Sequence, residues 1–354
     1  MNRLKVLRRL LKENSIEAVM ITNRHNIEWL SSFTGSSSRL FVTQHQALIA
    51  TDSRYFEQAK QQASDFILYP VERKTLVWLP ELLYSLKIKE LAFEEDISFG
   101  AYKELRDALC NLPKLNLKPL GHLLMQARSI KDAGEIANIR KAVEVTDYAF
   151  NQIASLLRPG MSEKEVAWQT EKLMRDITQG QPLSFSVIVA AGENSALPHA
   201  TLSDRPINKE EPILFDMGAS YNGYCADLSR TIFLSKRPPF FAKIYDTVAK
   251  AQETVIKNAK IGMTGGELDE LARSVIKEAG YGDNFGHGTG HGLGLYIHEY
   301  PSLSPLSLDS LQENMVFTIE PGIYIPGQGG VRIEDTVLMT KSGLEVLSSA
   351  IKSL

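Results

Sequence analysis

The chain has 354 residues, of which 44% are hydrophobic and 23% are charged, and its formal net charge is -3. This composition is typical of a globular protein that is long enough for two domains with large hydrophobic cores. The small net charge gives no electrostatic reason to expect a nucleic-acid or membrane partner. No apolar run reaches the roughly 20 residues needed to span a bilayer.

The cysteine content and the first residues of the chain both bear on its cellular location. Only Cys110 and Cys225 are present, and they lie in different halves of the chain. This argues against a disulfide scaffold and a cysteine-based zinc site, and we expect a reducing, cytoplasmic location. Residues 1–12 are basic and amphipathic, without the continuous apolar core of a signal peptide. They predict a surface helix that buries Leu4, Leu7 and Leu11.

Residues 1–125 predict an α/β domain, because strand-like and helix-like runs are mixed along this part of the chain. Short links such as Gln44–Gln46 between strands indicate a mixed sheet. The predicted strands are Glu17–Thr22, Leu40–Thr43, Ala47–Thr51, Phe66–Val71 and Glu90–Phe93, and the predicted helices after the first are Tyr55–Ala63, Leu76–Leu86 and Ala101–Leu109. We find no pattern here that would build an active site.

A change of character at residues 112–132, which are expected to include a short apolar helix before Ser129, predicts a domain boundary, with a second, α+β domain over residues 130–354. Asp132 or Ser129 is expected to cap a long helix, and Ser162 with Glu165 forms a capping-box pattern for the next one. The expected helices are 135–157, one after Ser162, 241–260 and 266–279, and the expected strands are 185–191, 212–219 and 224–234, followed by further strands and glycine-rich loops.

The dipeptide Asn222-Gly223 between two strand-like runs is a strong signal for a two-residue hairpin. If Tyr221 pairs with Tyr224, Asp216 faces Ser229, and Asp227 becomes the diagonal neighbour of Asp216 on the same face. Diagonal neighbours have Cα atoms about 7–8 Å apart, so two such carboxylates can share ions. A pair of solvated aspartates is the alternative, but Asp216 is flanked by apolar residues, and two close like charges need a cation.

Three further acidic or imidazole side chains extend this pattern. His291 lies in a glycine-rich run that cannot be a good helix and that lets main chain approach a bound group. Glu320 ends a buried-strand pattern before Pro321-Gly322. Glu334 follows Arg332 at strand spacing, so an ordinary ion pair between them is the alternative to a ligand role.

Together Asp216, Asp227, His291, Glu320 and Glu334 form a set of four carboxylates and one imidazole. Such oxygen-rich ligation favours manganese, cobalt, iron or zinc over copper. Four negative charges balance two divalent ions, and a two-metal site can activate a shared water and stabilise an oxyanion. We therefore expect two divalent metal ions, with Mn²⁺ first and Co²⁺, Zn²⁺ or Fe²⁺ as alternatives.

The motifs that contain these residues resemble those of the pita-bread metallopeptidases, which include methionine aminopeptidase, aminopeptidase P and prolidase. The matching runs are Phe-Asp-Met-Gly, His-Gly-Thr-Gly-His-Gly-Leu-Gly, Thr-Ile-Glu-Pro-Gly-Ile-Tyr and Gly-Val-Arg-Ile-Glu-Asp-Thr. The first 125 residues, with Ile-Thr-Asn-Arg-His-Asn-Ile and Phe-Thr-Gly-Ser-Ser, resemble the creatinase-type amino-terminal domain. That domain accompanies the proline-specific branch of the family.

The resemblance implies a role for each matching residue. Asp216 would chelate one metal, His291 and Glu320 the other, and Asp227 and Glu334 would bridge both. Glu320 would also move the proton of the attacking water, and His298 would contact the scissile bond and assist catalysis. His199 would act on the substrate side, and His287 would line the pocket. Arg332 would orient Glu334, and Tyr324 would lie near Glu320.

The activity that the resemblance implies is hydrolysis of the bond between an amino-terminal residue and a following proline. The partners are then short peptides with proline at the second position, and a homodimer is expected. Creatine hydrolysis is not expected, because creatinase lacks this ligand set. The residues do not distinguish an Xaa-Pro dipeptidase from an aminopeptidase P, since no clamp for a substrate carboxylate can be located in the sequence.

Two other functions remain as alternatives. A methionine aminopeptidase shares the ligand set but lacks the amino-terminal domain, and a peptide-binding protein could keep the fold without the chemistry. Serine-hydrolase and nucleotide-binding functions are disfavoured, because the sequence contains no Gly-x-Ser-x-Gly, Gly-x-Gly-x-x-Gly or Walker motif.

Overall fold

The computed structural model describes residues 2–72 and 76–353. The chain divides into two compact units, Met1–Arg128 and Ser129–Leu354. Within the described residues, no helix combines the length and the apolar character needed to cross a bilayer.

The first unit is built on a six-stranded mixed sheet with strand order β4-β3-β2-β1-β5-β6. Strands β1, β2 and β3 are antiparallel neighbours, whereas β4, β5 and β6 add in parallel. This confirms the expected mixed α/β fold. In chain order the elements are α1 (Arg3–Glu13), β1 (Ala18–Ile21), α2 (Arg24–Ser31), β2 (Ser38–Thr43), β3 (Ala47–Thr51), α3 (Phe56–Gln62), β4 (Ile67–Pro70), α4 (Trp78–Ser85), β5 (Glu90–Phe93), α5 (Phe99–Ala108), β6 (Asn116–Pro119) and α6 (Leu123–Ser129).

Helix α1 buries Leu4, Leu7 and Leu11, as its spacing predicts. Two elements of this unit were not predicted. Helix α2 has only eight residues, too few for a clear apolar period, although Asn23 caps it. Strand β6 ends in Pro119 and resembles a linker in sequence, but it is an edge strand, where proline is tolerated.

The carboxylate of Glu94 joins β5 to the start of α2. Its Oε2 accepts hydrogen bonds from the backbone N–H groups of Thr22 and Asn23, at 2.6 and 2.7 Å. Its Oε1 accepts from the Asn26 amide at 2.7 Å. Burial raises the pKa of Glu94, although these donors act to lower it. The buried carboxylate thus holds the chain where it turns from β1 into α2.

Within its described residues, 129–353, the second unit contains four complete α-helices, a three-stranded sheet (β11-β8-β7), a five-stranded sheet (β13-β12-β14-β17-β18) and two short hairpins. Its helices are α7 (Ala133–Leu156), α8 (Glu163–Ile177), α9 (Pro239–Asn258) and α10 (Gly265–Glu278). Its strands are β7 (Ile188–Ala191), β8 (Ile213–Met217), β9 (Ser220–Tyr221), β10 (Tyr224–Cys225), β11 (Leu228–Ile232), β12 (Gly290–Gly292), β13 (Glu299–Leu303), β14 (Val316–Ile319), β15 (Gly322–Ile325), β16 (Gly329–Arg332), β17 (Asp335–Thr340) and β18 (Gly343–Val346).

Each large sheet of this unit carries a pair of helices. Residues of α7 and α8 share a hydrophobic core with β7, β8 and β11, and residues of α9 and α10 share a second core with β14 to β17. Asp132 caps α7 in a complete capping box with Glu135. At α8 only half of the predicted box forms: Ser162 accepts from the Glu165 N–H, while the Glu165 carboxylate accepts from Gln169.

Candidate metal centre

The hairpin that carries the two aspartates has the predicted register. Tyr221 pairs with Tyr224, and Asp216 pairs with Ser229 in the ladder of β8 and β11. The predicted strand 224–234 is interrupted around Asp227, but the N–H of Ala226 donates to the Ala219 carbonyl at 2.9 Å and preserves the alignment. Asp216 and Asp227 consequently line the same cavity.

His291 lies on β12, a short strand between β13 and β14. The glycines beside it are required by neighbouring backbone. A Cβ on Gly290 would lie 2.1 Å from the Thr318 carbonyl oxygen, and a Cβ on Gly292 would lie 1.9 Å from that of Tyr300. The prediction that this run is not helical is confirmed. Gly290 and Gly292 allow close approach to the backbone of neighbouring strands, whereas the sequence predicted approach to a bound group.

Glu320 and Glu334 both lie next to strand ends. Glu320 follows β14, and its N–H donates to the Thr289 carbonyl at 2.8 Å. Glu334 lies between β16 and β17, and its N–H donates to the Ser229 carbonyl at 3.0 Å. The Oε2 of Glu334 accepts from the Ser229 hydroxyl at 2.7 Å. Its Oε1 is buried and has no hydrogen-bond partner within the described residues, so this oxygen needs a cation or a proton.

The described residues bring three of the expected ligands together. One ligand atom each of Asp227, His291 and Glu334 lies within 4.8 Å of the others. The Nε2 of His291 is 3.5 Å from Asp227 Oδ2 and 3.5 Å from Glu320 Oε1. Its Nδ1 lies 3.1 Å from the Gly292 carbonyl oxygen. With the proton on Nδ1, the lone pair of Nε2 faces the carboxylates, as a metal ligand requires.

Asp216 is held by Arg332, whose Nη2 lies 2.7 Å from Asp216 Oδ2. The Nε of Arg332 donates to the Ser229 hydroxyl at 2.6 Å, and its Nη1 donates to Tyr324 Oη at 3.0 Å. The link from Arg332 to Glu334 therefore runs through Ser229. As strand alternation predicts, Arg332 and Glu334 lie on the same side, and both contact the Ser229 hydroxyl. The ion pair of Arg332 is formed with Asp216.

The four carboxyl groups raise one another's affinity for positive charge. Burial raises the pKa of Asp227 well above its ordinary value, and the charges of Glu334, Asp216 and Glu320 raise it further. Burial likewise raises the pKa of Glu334, with Glu320 and Asp216 adding to the effect. Four carboxylates, one of which has a buried oxygen without a partner in the described residues, and one imidazole fit two divalent cations, which would balance the carboxylate charge.

Three more histidines border this cluster. The rings of His298 and His291 meet edge-on with centroids 4.4 Å apart, and burial lowers the pKa of His298. The Nδ1 of His287 lies 2.8 Å from the Gly288 carbonyl and its Nε2 lies 2.8 Å from Tyr324 Oη. His199 lines the cavity beside Pro198.

The cluster opens into a cavity of about 500 Å³. Nine of the ten predicted site residues line it, and Tyr324 lies behind His287 and Arg332, to which its hydroxyl is bonded. Part of the wall is apolar, formed by Phe185, Ile188, Pro198 and Ile297. The cavity thus combines a polar, ion-binding end with an apolar surface, as ligand sites commonly do.

Two residues that support the ligands, Ser229 and Thr318, were not predicted to do so. In the sequence Ser229 defines only the hairpin register, although the same register places its hydroxyl in the site. Thr318, two residues before Glu320 on β14, accepts from the His291 N–H at 3.1 Å and donates to Glu320 at 3.4 Å. Strand alternation could have found it, since residues two apart share a face.

Comparison with known proteins agrees with this geometry. Residues 137–341 match the model of metallopeptidase family M24, and residues 3–130 match the creatinase/prolidase N-terminal domain. An Xaa-Pro dipeptidase of Pyrococcus horikoshii is 36% identical over 99% of this chain and 98% of its own length.

Two solved structures are similar throughout. The Xaa-Pro dipeptidase from Bacillus anthracis has a TM-score of 0.94 and 37% identity, covering 99% of each chain. The X-Pro aminopeptidase from Thermotoga maritima has a TM-score of 0.87 and 36% identity, covering 98% of this chain and all of its own. These findings confirm the expected creatinase-type α/β amino-terminal domain and pita-bread carboxy-terminal domain. The chain belongs to metallopeptidase family M24 and carries the creatinase/prolidase N-terminal domain of that family's proline-specific branch.

Proposed function

We propose that this protein hydrolyses the peptide bond between an amino-terminal residue and a following proline, using two divalent metal ions. The observation that carries this proposal is the convergence of Asp227, His291 and Glu334 in the cavity, with a buried oxygen of Glu334 left without a partner. The names of the similar proteins, Xaa-Pro dipeptidase and X-Pro aminopeptidase, support the substrate class.

The ions would be held by Asp216, Asp227, His291, Glu320 and Glu334, with manganese as the first candidate and cobalt, zinc or iron as alternatives. Their donor set of carboxylates and one imidazole suits these metals. When bound, such a pair supplies a water that ionises near neutral pH and a Lewis acid for the substrate carbonyl. The Arg332 guanidinium lies 2.7 Å from the Asp216 carboxylate. When a metal ion binds, Arg332 would either give up this contact or share the carboxylate with the ion.

The remaining steps belong to side chains of the protein. Glu320, whose Oε1 lies 3.5 Å from His291 Nε2, takes the proton of the attacking water and delivers it to the proline nitrogen that leaves. His298 donates a hydrogen bond to the carbonyl oxygen as negative charge develops there. His199 binds the substrate from the side of Pro198, and His287, Tyr324 and Arg332 keep their places through mutual hydrogen bonds.

The apolar wall of the cavity suits the proline ring. Phe185, Ile188, Pro198 and Ile297 offer hydrocarbon surface beside the carboxylates, and a pyrrolidine ring presents no N–H group once it is acylated. Short peptides are the fitting substrates for a cavity of about 500 Å³.

We also propose a cytoplasmic, homodimeric protein. The low cysteine content and the family resemblance support these two points, and light scattering of the purified protein tests the second.

A chromatographic assay of manganese-loaded protein tests the activity. Wild type is expected to release alanine from Ala-Pro, from Ala-Pro-Ala-Ala or from both, and the ratio of the two rates distinguishes dipeptidase from aminopeptidase. The variants Asp227→Ala and Glu334→Ala are expected to lose bound metal and turnover together. Turnover by either variant, or cleavage of Met-Ala peptides in place of Xaa-Pro peptides, would contradict the proposal.

A further inference from the structure

A buried ion pair outside the proposed ligand set lies next to His298. The Nζ of Lys131 is 3.1 Å from Oε2 of Glu299, and the two side chains are 1% and 5% exposed. We propose that this pair is a positioning device that holds His298 against His291. The inference rests on the proposed function in assigning His298 to the reaction, but its geometry can be tested separately.

The Glu299 carboxylate organises the loop 293–298 that precedes it. Its Oε1 accepts a hydrogen bond from the backbone N–H of Tyr296 at 3.0 Å. The loop closes over the carboxylate at Gly294, where a Cβ would lie 2.7 Å from Glu299 Oε2. A larger residue at this position would require the Glu299 carboxylate to shift. The position of His298, immediately before Glu299, thus depends on where this carboxylate is held.

The backbone of Glu299 and of the loop before it contacts the segments that carry two of the proposed ligands. Glu299 pairs with Gly292, the residue after His291, at the point where the register of β12 and β13 shifts. The carbonyl of Gly294 accepts from the N–H of Cys225 at 2.8 Å, two residues before Asp227. A displacement of Glu299 would therefore be transmitted first to the contact between the His291 and His298 rings.

Lys131 supplies a fixed counter-charge. Its backbone N–H donates to the Asn314 carbonyl at 3.0 Å, and the adjacent Ile130 forms a β-bridge with Met315. The ammonium group therefore extends from a backbone that is tied to the start of β14. A buried carboxylate that loses a charged partner is destabilised, so Glu299 is expected to move when the Lys131 ammonium group is removed.

A double-mutant cycle with His298 separates positioning from general destabilisation. Lys131→Met is expected to lower kcat for Ala-Pro or Ala-Pro-Ala-Ala by about 10–100-fold, because misplacement of a catalytic group by about 1 Å can cost 10²-fold. The same substitution should have less than about a twofold effect in a His298→Ala background. Equal losses in the two backgrounds, or none in either, would overturn the inference.

The double variant Lys131→Met/Glu299→Gln serves if the single variant folds poorly, since it removes both charges of this ion pair together and the glutamine oxygen can still accept from the Tyr296 N–H. The matched control is Arg205→Met/Glu211→Gln, because this bidentate pair (2.7 and 2.6 Å) lies outside the cavity lining. It should lower thermal stability without changing kcat.

A second readout does not depend on activity. In zinc-loaded protein labelled with ¹³C at histidine Cε1, the His298 resonance is assigned by its loss in His298→Ala. Lys131→Met should shift and broaden that resonance, and the Arg205/Glu211 control should not. An unchanged His298 resonance would overturn the positioning role even if the peptidase activity is confirmed. A shifted resonance in a protein that cleaves no Xaa-Pro peptide would instead count against the proposed function alone.

Discussion

Ser229 lies directly opposite Asp216 in the pairing of β8 with β11, so its hydroxyl reaches the centre of the carboxylate cluster. From there it accepts from Arg332 Nε at 2.6 Å and donates to Glu334 Oε2 at 2.7 Å. One fully buried hydroxyl thus links the guanidinium that holds Asp216 to the carboxylate proposed to bridge the metals.

Ser229→Ala should weaken metal binding. The substitution leaves one donor of Arg332 and one acceptor of Glu334 unpaired, at a cost of about 1–3 kcal/mol in stability. Loss of such an orienting partner commonly lowers metal affinity by about 10–100-fold. Calorimetric titration with manganese measures the change. Thr170→Val is the control, because this buried hydroxyl donates to the Val166 carbonyl within α8. Equal affinities in wild type and Ser229→Ala would contradict this role.

Asp227→Asn should stabilise the metal-free protein and abolish stabilisation by metal. Burial and the charges of Glu334, Asp216 and Glu320 raise the pKa of Asp227, so removing its charge relieves repulsion when no cation is present. In wild type, a cation at 100 times its Kd adds about 2.7 kcal/mol. Thermal melts with chelator and with manganese measure both effects, and exposed Asp204→Asn is the control. A manganese-dependent rise in Tm of the Asp227→Asn variant equal to that of wild type would rule this account out.

Asp147 should make stability fall as pH rises above about 4. Its Oδ2 accepts from the Ser349 N–H and hydroxyl, but its buried Oδ1 has no partner within the described residues. Burial raises the pKa of Asp147, although the Ser349 hydrogen bonds act to lower it. The unfolded carboxyl, with a pKa of about 3.9, therefore loses its proton at lower pH than the folded one. The charge penalty appears between the two pKa values, at about 1.4 kcal/mol for each unit of difference.

Asp147→Asn removes this pH dependence. Relative to wild type, the variant should gain stability as pH rises from about 4, and the difference should become constant above the raised pKa. Urea unfolding of both proteins between pH 4 and pH 8 measures the difference. A difference that is independent of pH, or that favours wild type more at pH 8 than at pH 4, would contradict the assignment.

Glu94→Ala should destabilise the first unit. The substitution leaves the partly buried N–H groups of Thr22 and Asn23 and the buried Asn26 amide without their acceptor, and a buried donor without an acceptor costs about 1–3 kcal/mol. Its exposed neighbour Glu95 provides the control variant Glu95→Ala. Hydrogen exchange of the full chain should show loss of protection in β1 and α2. Unchanged protection there would indicate that the Glu94 carboxylate does not organise this turn.

The parts of the site that could be predicted are those specified by local sequence. A single Asn-Gly turn determines the register that aligns Asp216 with Ser229, because no bulge intervenes between the turn and β8. The four carboxylate candidates stand out as acidic residues inside or beside apolar, strand-like runs. His287 and His291 occur in one glycine-rich run and His298 follows shortly after it, so the proximity of these three needs no long-range information.

The supporting contacts could not be predicted, because they join distant parts of the chain. Lys131 and Glu299 are 168 positions apart, and neither has a local pattern that distinguishes a buried partner from a surface charge. The ion pair of Arg332 with Asp216 spans 116 positions, whereas the sequence offered an ion pair with Glu334 as an alternative, since strand alternation puts Arg332 and Glu334 on one side. Such pairings are decided by which strands become neighbours.

The most direct test of the two-metal site is anomalous diffraction from crystals grown with manganese. We expect two anomalous peaks in the cavity, each at about 2.0–2.3 Å from the nearest carboxylate oxygen or imidazole nitrogen. Asp227 and Glu334 should contact both ions, Asp216 one of them, and His291 and Glu320 the other. A cavity without anomalous density at saturating manganese, or ions bound away from these five side chains, would contradict the account.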